Sequence, residues 1–203
     1  MQHLYAPWRA KYFSEKTHEC PFCVASANAD RDGELGVIFR AQFCFGIMNL
    51  YPYSPGHFMV VPYAHKEQIQ ALQIEAWQEM SFFVREGVGI LQKALGAKGV
   101  NVGMNLGEQA GAGIAEHCHY HLVPRWAGDT NFITTIADTR VCGRDLGELY
   151  ERLCAEFKGI CDKTKKDTKN NTPSEVSTFV AFLHALHVLC IYYQIAGFMS
   201  MLY

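Results

Sequence analysis

Apolar and polar positions along the chain repeat with two periods. Val37-Ile38-Phe39-Arg40 and Phe43-Cys44-Phe45-Gly46-Ile47-Met48 are short runs rich in aromatic and β-branched residues, the composition of strands. The segment Asn49 to Gly56 (NLYPYSPG) interrupts them, because its two prolines and a glycine do not fit a central strand, and His57 to Pro62 resumes as a strand. Between Glu67 and Leu95 the period changes: Ile69, Leu72, Trp77, Met80, Phe83, Val84, Val88, Leu91 and Leu95 recur every three or four residues and predict one long amphipathic helix, closed by Gly96 and Gly99. Val100 to Asn105 reads as another strand. A glycine-rich loop follows, Leu106 to Ala115 (LGEQAGAGIA), and then a run that alternates strictly, His117 to Pro124 (HCHYHLVP). Asp145 to Lys158 has the pattern of a shorter helix. Strands first, one long helix in the middle and two further strands predict an α+β domain around a mainly antiparallel sheet.

Composition narrows the classes. The 203 residues carry 18 basic and 20 acidic side chains, a net charge of -2, so there is no electrostatic footprint for wrapping nucleic acid. With 49% hydrophobic and 13% aromatic residues the chain can bury a core and is not disordered as a whole. No internal repeat interrupts residues 1 to 158, which are read as one domain. A lysine-rich linker at 159 to 175 and a tail at 176 to 203, 28 residues without Asp, Glu, Lys or Arg, complete the organisation. Met1 to Phe13 lacks the pattern of a secretory signal, so the expected compartment is the cytoplasm, where the eight cysteines are thiols rather than a disulfide framework.

The chemistry concentrates in the last strand. Side chains on a strand alternate between faces, so His117, His119 and His121 share one, with neighbours roughly 6.6 Å apart at ~3.3 Å of rise per residue. Three imidazoles on one face form either a metal site or a catalytic array, since imidazole serves as ligand, nucleophile or proton carrier near neutrality. The glycines of the preceding loop let backbone amides approach an anion closely, which favours phosphate.

HCHYHLV resembles the signature of the histidine-triad superfamily. Its surroundings fit as well: the loop with Ala110-Gly111, the continuation Pro124-Arg125-Trp126, the turn Pro55-Gly56-His57, and Val61-Pro62 leading to His65. Leu4-Tyr5-Ala6-Pro7-Trp8-Arg9 and Cys20-Pro21-Phe22-Cys23 are similar to the branch that includes diadenosine tetraphosphate phosphorylases. The resemblance, over about residues 4 to 158, implies nucleotidyl transfer at the α-phosphate of a dinucleoside polyphosphate or related adenosine nucleotide. By it His119 is the nucleophile that becomes nucleotidylated, and His121 assists the phosphate or the departing oxygen. Asn105 and Asn49 lie where the family contacts the nucleotide and its ribose, and the amides of Gly111, Gly113 and Ile114 face the phosphate. Many family members carry a Gln or Ser in this loop as a side-chain phosphate donor; this chain has Ala112 and Gly113. The resemblance also implies a homodimer, paired through the long helix and an edge strand.

Cys20 and Cys23 form a C-x-x-C pair, half of a tetrahedral zinc site, and His65 offers a third ligand. In zinc-bearing members of the family the first triad histidine, here His117, is the fourth, and such a closed site makes Zn2+ structural. His3 and His18 are read as bystanders, and Cys44, Cys142, Cys154 and Cys161 as core or incidental thiols.

Three readings of the tail stay open. Its length suits a membrane anchor, although His184, His187, Gln194, Gly197 and Ser200 interrupt it; it also suits a packed helix, or a segment foreign to the domain. Against the enzyme stand two rivals, a nucleotide-binding interaction protein with incidental turnover and a zinc-stabilised scaffold held at a membrane.

Overall fold

The computed structural model of the protein describes residues 19–129 and 145–170. Leu4 to Arg9, Cys142 and the tail lie outside the described residues. Among the described residues the α-helices and strands follow in the order α1 (Pro21–Ala27), α2 (Asp32–Leu35), β1 (Val37–Arg40), β2 (Cys44–Met48), β3 (Phe58–Pro62), α3 (Ile74–Leu95), β4 (Gly99–Gly103), β5 (Tyr120–Arg125) and α4 (Leu146–Asn170). The strands form one sheet in the order β1-β2-β3-β5-β4, every neighbouring pair antiparallel. This is the α+β architecture the sequence predicts.

Period-two alternation divides β3 between the two faces of the sheet. Phe58 and Val60, with Leu122 of β5, enter the core beneath α3 and α4, whereas Met59 and Val61 join a second apolar cluster with Phe22, Phe45 and Ile47. From α3 the residues Met80, Phe83, Ile90, Leu91 and Leu95 enter the first core, and from α4 Leu149, Leu153 and Phe157, at helical spacings of three, four and seven. Phe157 stacks on Phe39 with ring centroids 4.5 Å apart, and Phe39 stacks on Phe83 at 4.4 Å.

Three boundaries differ from expectation by three residues or more. The long helix begins at Ile74, not Glu67: Ile69–Ala71 form one 3-10 turn, and Leu72 and Gln73 are extended. The cause is tertiary, since the Lys66 carbonyl accepts the Cys118 amide at 2.7 Å and commits this segment to the triad. The last strand pairs from Tyr120, not His117. Its ladder with β3 stops at Val60, because Pro62 has no N–H to offer and its carbonyl accepts a hydrogen bond from the His117 ring. The final helix is longer than expected, continuing through Gly159 to Asn170; Ile160 and Cys161 pack against the core and offset the low helix propensity of Gly159. No helix among the described residues is long and apolar enough to cross a membrane.

Candidate functional site

The site is assembled on the sheet face opposite α3 and α4. Cys20 stands just before α1 in extended conformation and Cys23 lies in its first turn, so both sulfurs project from one helix end. Cys20 Sγ lies 3.4 Å and Cys23 Sγ 3.8 Å from His117 Nδ1, and Cys23 Sγ lies 3.1 Å from His65 Nδ1. The ligand atoms of Cys20, Cys23, His65 and His117 all fall within 4.8 Å of one another. The expected metal set is thus brought together.

The chemistry of the donors fits a metal. His117 Nε2 is 2.8 Å from the Pro62 carbonyl, and a carbonyl only accepts, so the proton is on Nε2 and the lone pair of Nδ1 faces the sulfurs. Burial pushes the His117 pKa down to about 4, which keeps the ring neutral as a ligand must be.

The same reasoning orients the middle ring. His119 Nδ1 donates to the His117 carbonyl at 2.8 Å, so its lone pair is on Nε2. Burial holds its pKa below the usual imidazole value and favours the neutral form. The His121 ring follows at a centroid distance of 4.7 Å and an angle of 68°. Rings tilted toward one another lie closer than the spacing expected from strand rise.

A fourth histidine completes the row. His57, quoted in the turn Pro55-Gly56-His57 but given no role in the sequence analysis, is fully buried with Nε2 3.0 Å from His121 Nδ1. The Tyr53 amide donates to His57 Nδ1 at 3.1 Å, so the His57 proton is on Nε2 and is donated to His121 Nδ1. The proton of His121 is thereby left on Nε2. Two further bonds hold this turn: Ser54 Oγ donates to the Pro124 carbonyl at 2.7 Å, and the His57 amide to the Ser54 carbonyl at 3.0 Å. Gly56, at φ 84°, closes it where a Cβ would stand 2.4 Å from Leu95 Cδ1. A histidine directly after Pro-Gly and before a wholly apolar strand was the available signal.

The glycine-rich loop turns at Gly107 and Gly111, whose φ angles are 84° and 87°. The Gly111 amide donates to the Glu108 carbonyl at 2.9 Å and the Ala112 amide to the Gly107 carbonyl at 3.3 Å, so these two amides build the loop itself. Ile114 packs against the second apolar cluster and anchors the loop beside the triad. Asn105 Nδ2 donates across the loop to the Gly111 carbonyl at 3.4 Å. Asn49 Oδ1 accepts the Tyr51 amide at 2.8 Å, an Asx turn at the end of β2. Phe22, which the sequence analysis left without a role, packs on both His117 and His119.

A five-stranded antiparallel sheet with His121 on β5, and with His117 and His119 leading into that strand at period two beside a glycine-rich turn, defines the histidine-triad class, and the HIT domain family matches residues 34–128. The chain is 34% identical over 167 residues to the AP-4-A phosphorylase of Mycobacterium tuberculosis, covering 77% of this chain and 85% of that protein. A Zn-bound histidine triad family protein from Mycobacterium smegmatis superposes with a TM-score of 0.57 at 25% identity, covering 70% of this chain and 95% of that one. A hypothetical histidine triad nucleotide-binding protein from Sulfolobus tokodaii gives a TM-score of 0.53 at 25% identity, covering 75% of this chain and 99% of that one. The chain belongs to the HIT family.

Proposed function

We propose that the protein transfers a nucleotidyl group from a dinucleoside polyphosphate, in the manner of diadenosine tetraphosphate phosphorolysis, through a covalent adduct on His119. The observation that carries the reading is the 2.8 Å bond from His119 Nδ1 to the His117 carbonyl, which presents Nε2 as a neutral nucleophile without a separate base. Nε2 attacks the α-phosphorus, a P–N bond forms, and the bond to the bridging oxygen breaks. The positive charge that develops on the imidazole is stabilised at Nδ1–H by the His117 carbonyl. His121 Nε2–H, held by the chain from Tyr53 through His57, donates a hydrogen bond to the departing oxygen as its negative charge grows. An oxygen of inorganic phosphate then attacks phosphorus, and the P–N bond breaks to restore His119. Similarity to the AP-4-A phosphorylase favours phosphate as acceptor; with water in its place the same steps make a hydrolase.

The amides of Gly113 and Ile114 are assigned to the phosphate oxygens, since those of Gly111 and Ala112 are engaged within the loop. Asn105 and Asn49 remain the proposed contacts to nucleotide and ribose. Cys20, Cys23, His65 and His117 would hold Zn2+, a closed four-ligand site that supplies structural cohesion rather than reactivity.

Turnover of diadenosine tetraphosphate with and without phosphate tests the assignment. Phosphate-dependent release of ADP and ATP is expected, and rapid quenching of labelled substrate should trap an acid-labile adduct on His119. An adduct on another residue, or full activity in His119→Ala, would overturn it.

A further inference from the structure

Phe22 lies between the two cysteines in sequence and between the metal-binding cluster and His119 in space. Its side chain is 2% exposed, with its ring edge-on to His117 at 5.4 Å and tilted by 58° over His119 at 4.7 Å. The helix that carries it is tied at its two ends by different means. At the C-terminal end Arg40 Nη2 donates to the Ala25 carbonyl at 2.6 Å and Nη1 to the Ser26 carbonyl at 3.3 Å, while the same guanidinium pairs with Asp32. At the N-terminal end the Cys20 and Cys23 sulfurs face His65 and His117. The first tie is built of permanent groups. The second consists of ligand atoms that a shared metal ion would draw together.

We propose that Phe22 is a positioning residue through which metal occupancy sets the orientation of His119. With Cys20 and Cys23 drawn onto a common ion, the Phe22 ring walls one side of the His119 imidazole. The bond to the His117 carbonyl fixes the other, so Nε2 stays turned toward the reaction face. Without the ion, the α1 N-terminus shifts, the wall recedes, and the imidazole samples orientations in which Nδ1 leaves the carbonyl. Two contacts of His119 therefore run to the metal cluster, one through a ligand's backbone and one through a residue between two ligands, while its third neighbour is the His121 ring. The inference rests on His119 as nucleophile and on the four-residue cluster as a metal site.

The test uses the full chain as wild type, Phe22→Ala, Phe22→Leu, Phe22→Tyr and His119→Ala. Metal per chain, kcat and KM for diadenosine tetraphosphate, and ring-nitrogen NMR correlations of His119 that report which nitrogen carries the proton are measured on each. Phe22→Ala should keep its metal and lose about tenfold in kcat, the order of an aromatic pair of this geometry, with KM within about twofold. Phe22→Tyr should restore kcat. The His119 signals should lose their single-tautomer pattern in Phe22→Ala, and chelation of the wild type should produce the same change. Metal-loaded Phe22→Ala with wild-type kcat and wild-type nitrogen signals would overturn the proposal, as would chelation that leaves those signals in place. Should Phe22→Ala fail to fold, Phe22→Leu decides by the same readouts. Activity surviving in His119→Ala would overturn the nucleophile assignment alone, because the NMR arm reads the coupling independently of turnover.

Discussion

On one face of the sheet Phe58, Val60 and Leu122 meet Phe83, Leu91, Leu153 and Phe157 in a continuous apolar layer. On the other face the apolar cluster is smaller, and the histidines are held by directional ties: carbonyls that receive His117 and His119, an imidazole that supports His121, and two sulfurs beside His117. Non-directional burial stabilises by area and tolerates exchange of one apolar residue for another. Hydrogen bonds and ligand contacts select one tautomer and one orientation, which is what a nucleophile requires. Area burial and directional contacts are thereby separated across the thickness of a single sheet.

Substitutions on the two faces should fail in different ways. The largest effect expected is on His119→Ala, a loss of at least about 10³-fold in kcat/KM with little change in thermal midpoint, because a pathway is removed and not a support. Wild-type rates in that variant would erase the distinction. Next comes Phe157→Ala on the opposite face, which should lose about 3–5 kcal/mol in denaturant titration while the surviving folded fraction keeps its specific activity. A third substitution sits on the boundary. Cys20→Ala should lower metal content and thermal midpoint together, since a structural site yields its binding energy to folding, and elemental analysis beside calorimetry checks both. His57→Ala should lower kcat about 2- to 10-fold, the worth of roughly 0.5–1.5 kcal/mol for a hydrogen bond between neutral groups. A change confined to KM would show that His57 does not act through His121. Smallest of all is Lys93→Ala, which removes an exposed ion pair with Glu156 and should change stability by under about 1 kcal/mol.

Much of this molecule is legible one segment at a time. The strands around Phe39, Phe45 and Val60, the amphipathic stripe ending at Gly96, the period-two histidines and the C-x-x-C pair are all local patterns, set by side-chain alternation, helical periodicity and turn chemistry. What the local patterns misjudged were ends. Ile69 and Leu72 continue the apolar stripe but are not helical, because the Lys66 carbonyl is engaged by the Cys118 amide; His117 and Cys118 continue the alternation but are not paired to β3, because the Pro62 carbonyl is taken by a side chain. Long-range bonds decide such ends, and no periodicity records them.

The sequence by itself determined that the three triad histidines recur at period two and that Cys20, Cys23 and His65 offer metal-ligand atoms, since both follow from residue type and spacing; the family resemblance added His117 as the fourth. Only the tertiary structure decided the proton positions: His117 meets the Pro62 carbonyl across 55 residues and His57 meets His121 across 64, and the geometry of the partners leaves one nitrogen of each ring to donate and the other to accept. A tautomer belongs to a pair of groups in space. That is why His57 and Phe22, unremarkable in the linear text, stand beside His121 and His119.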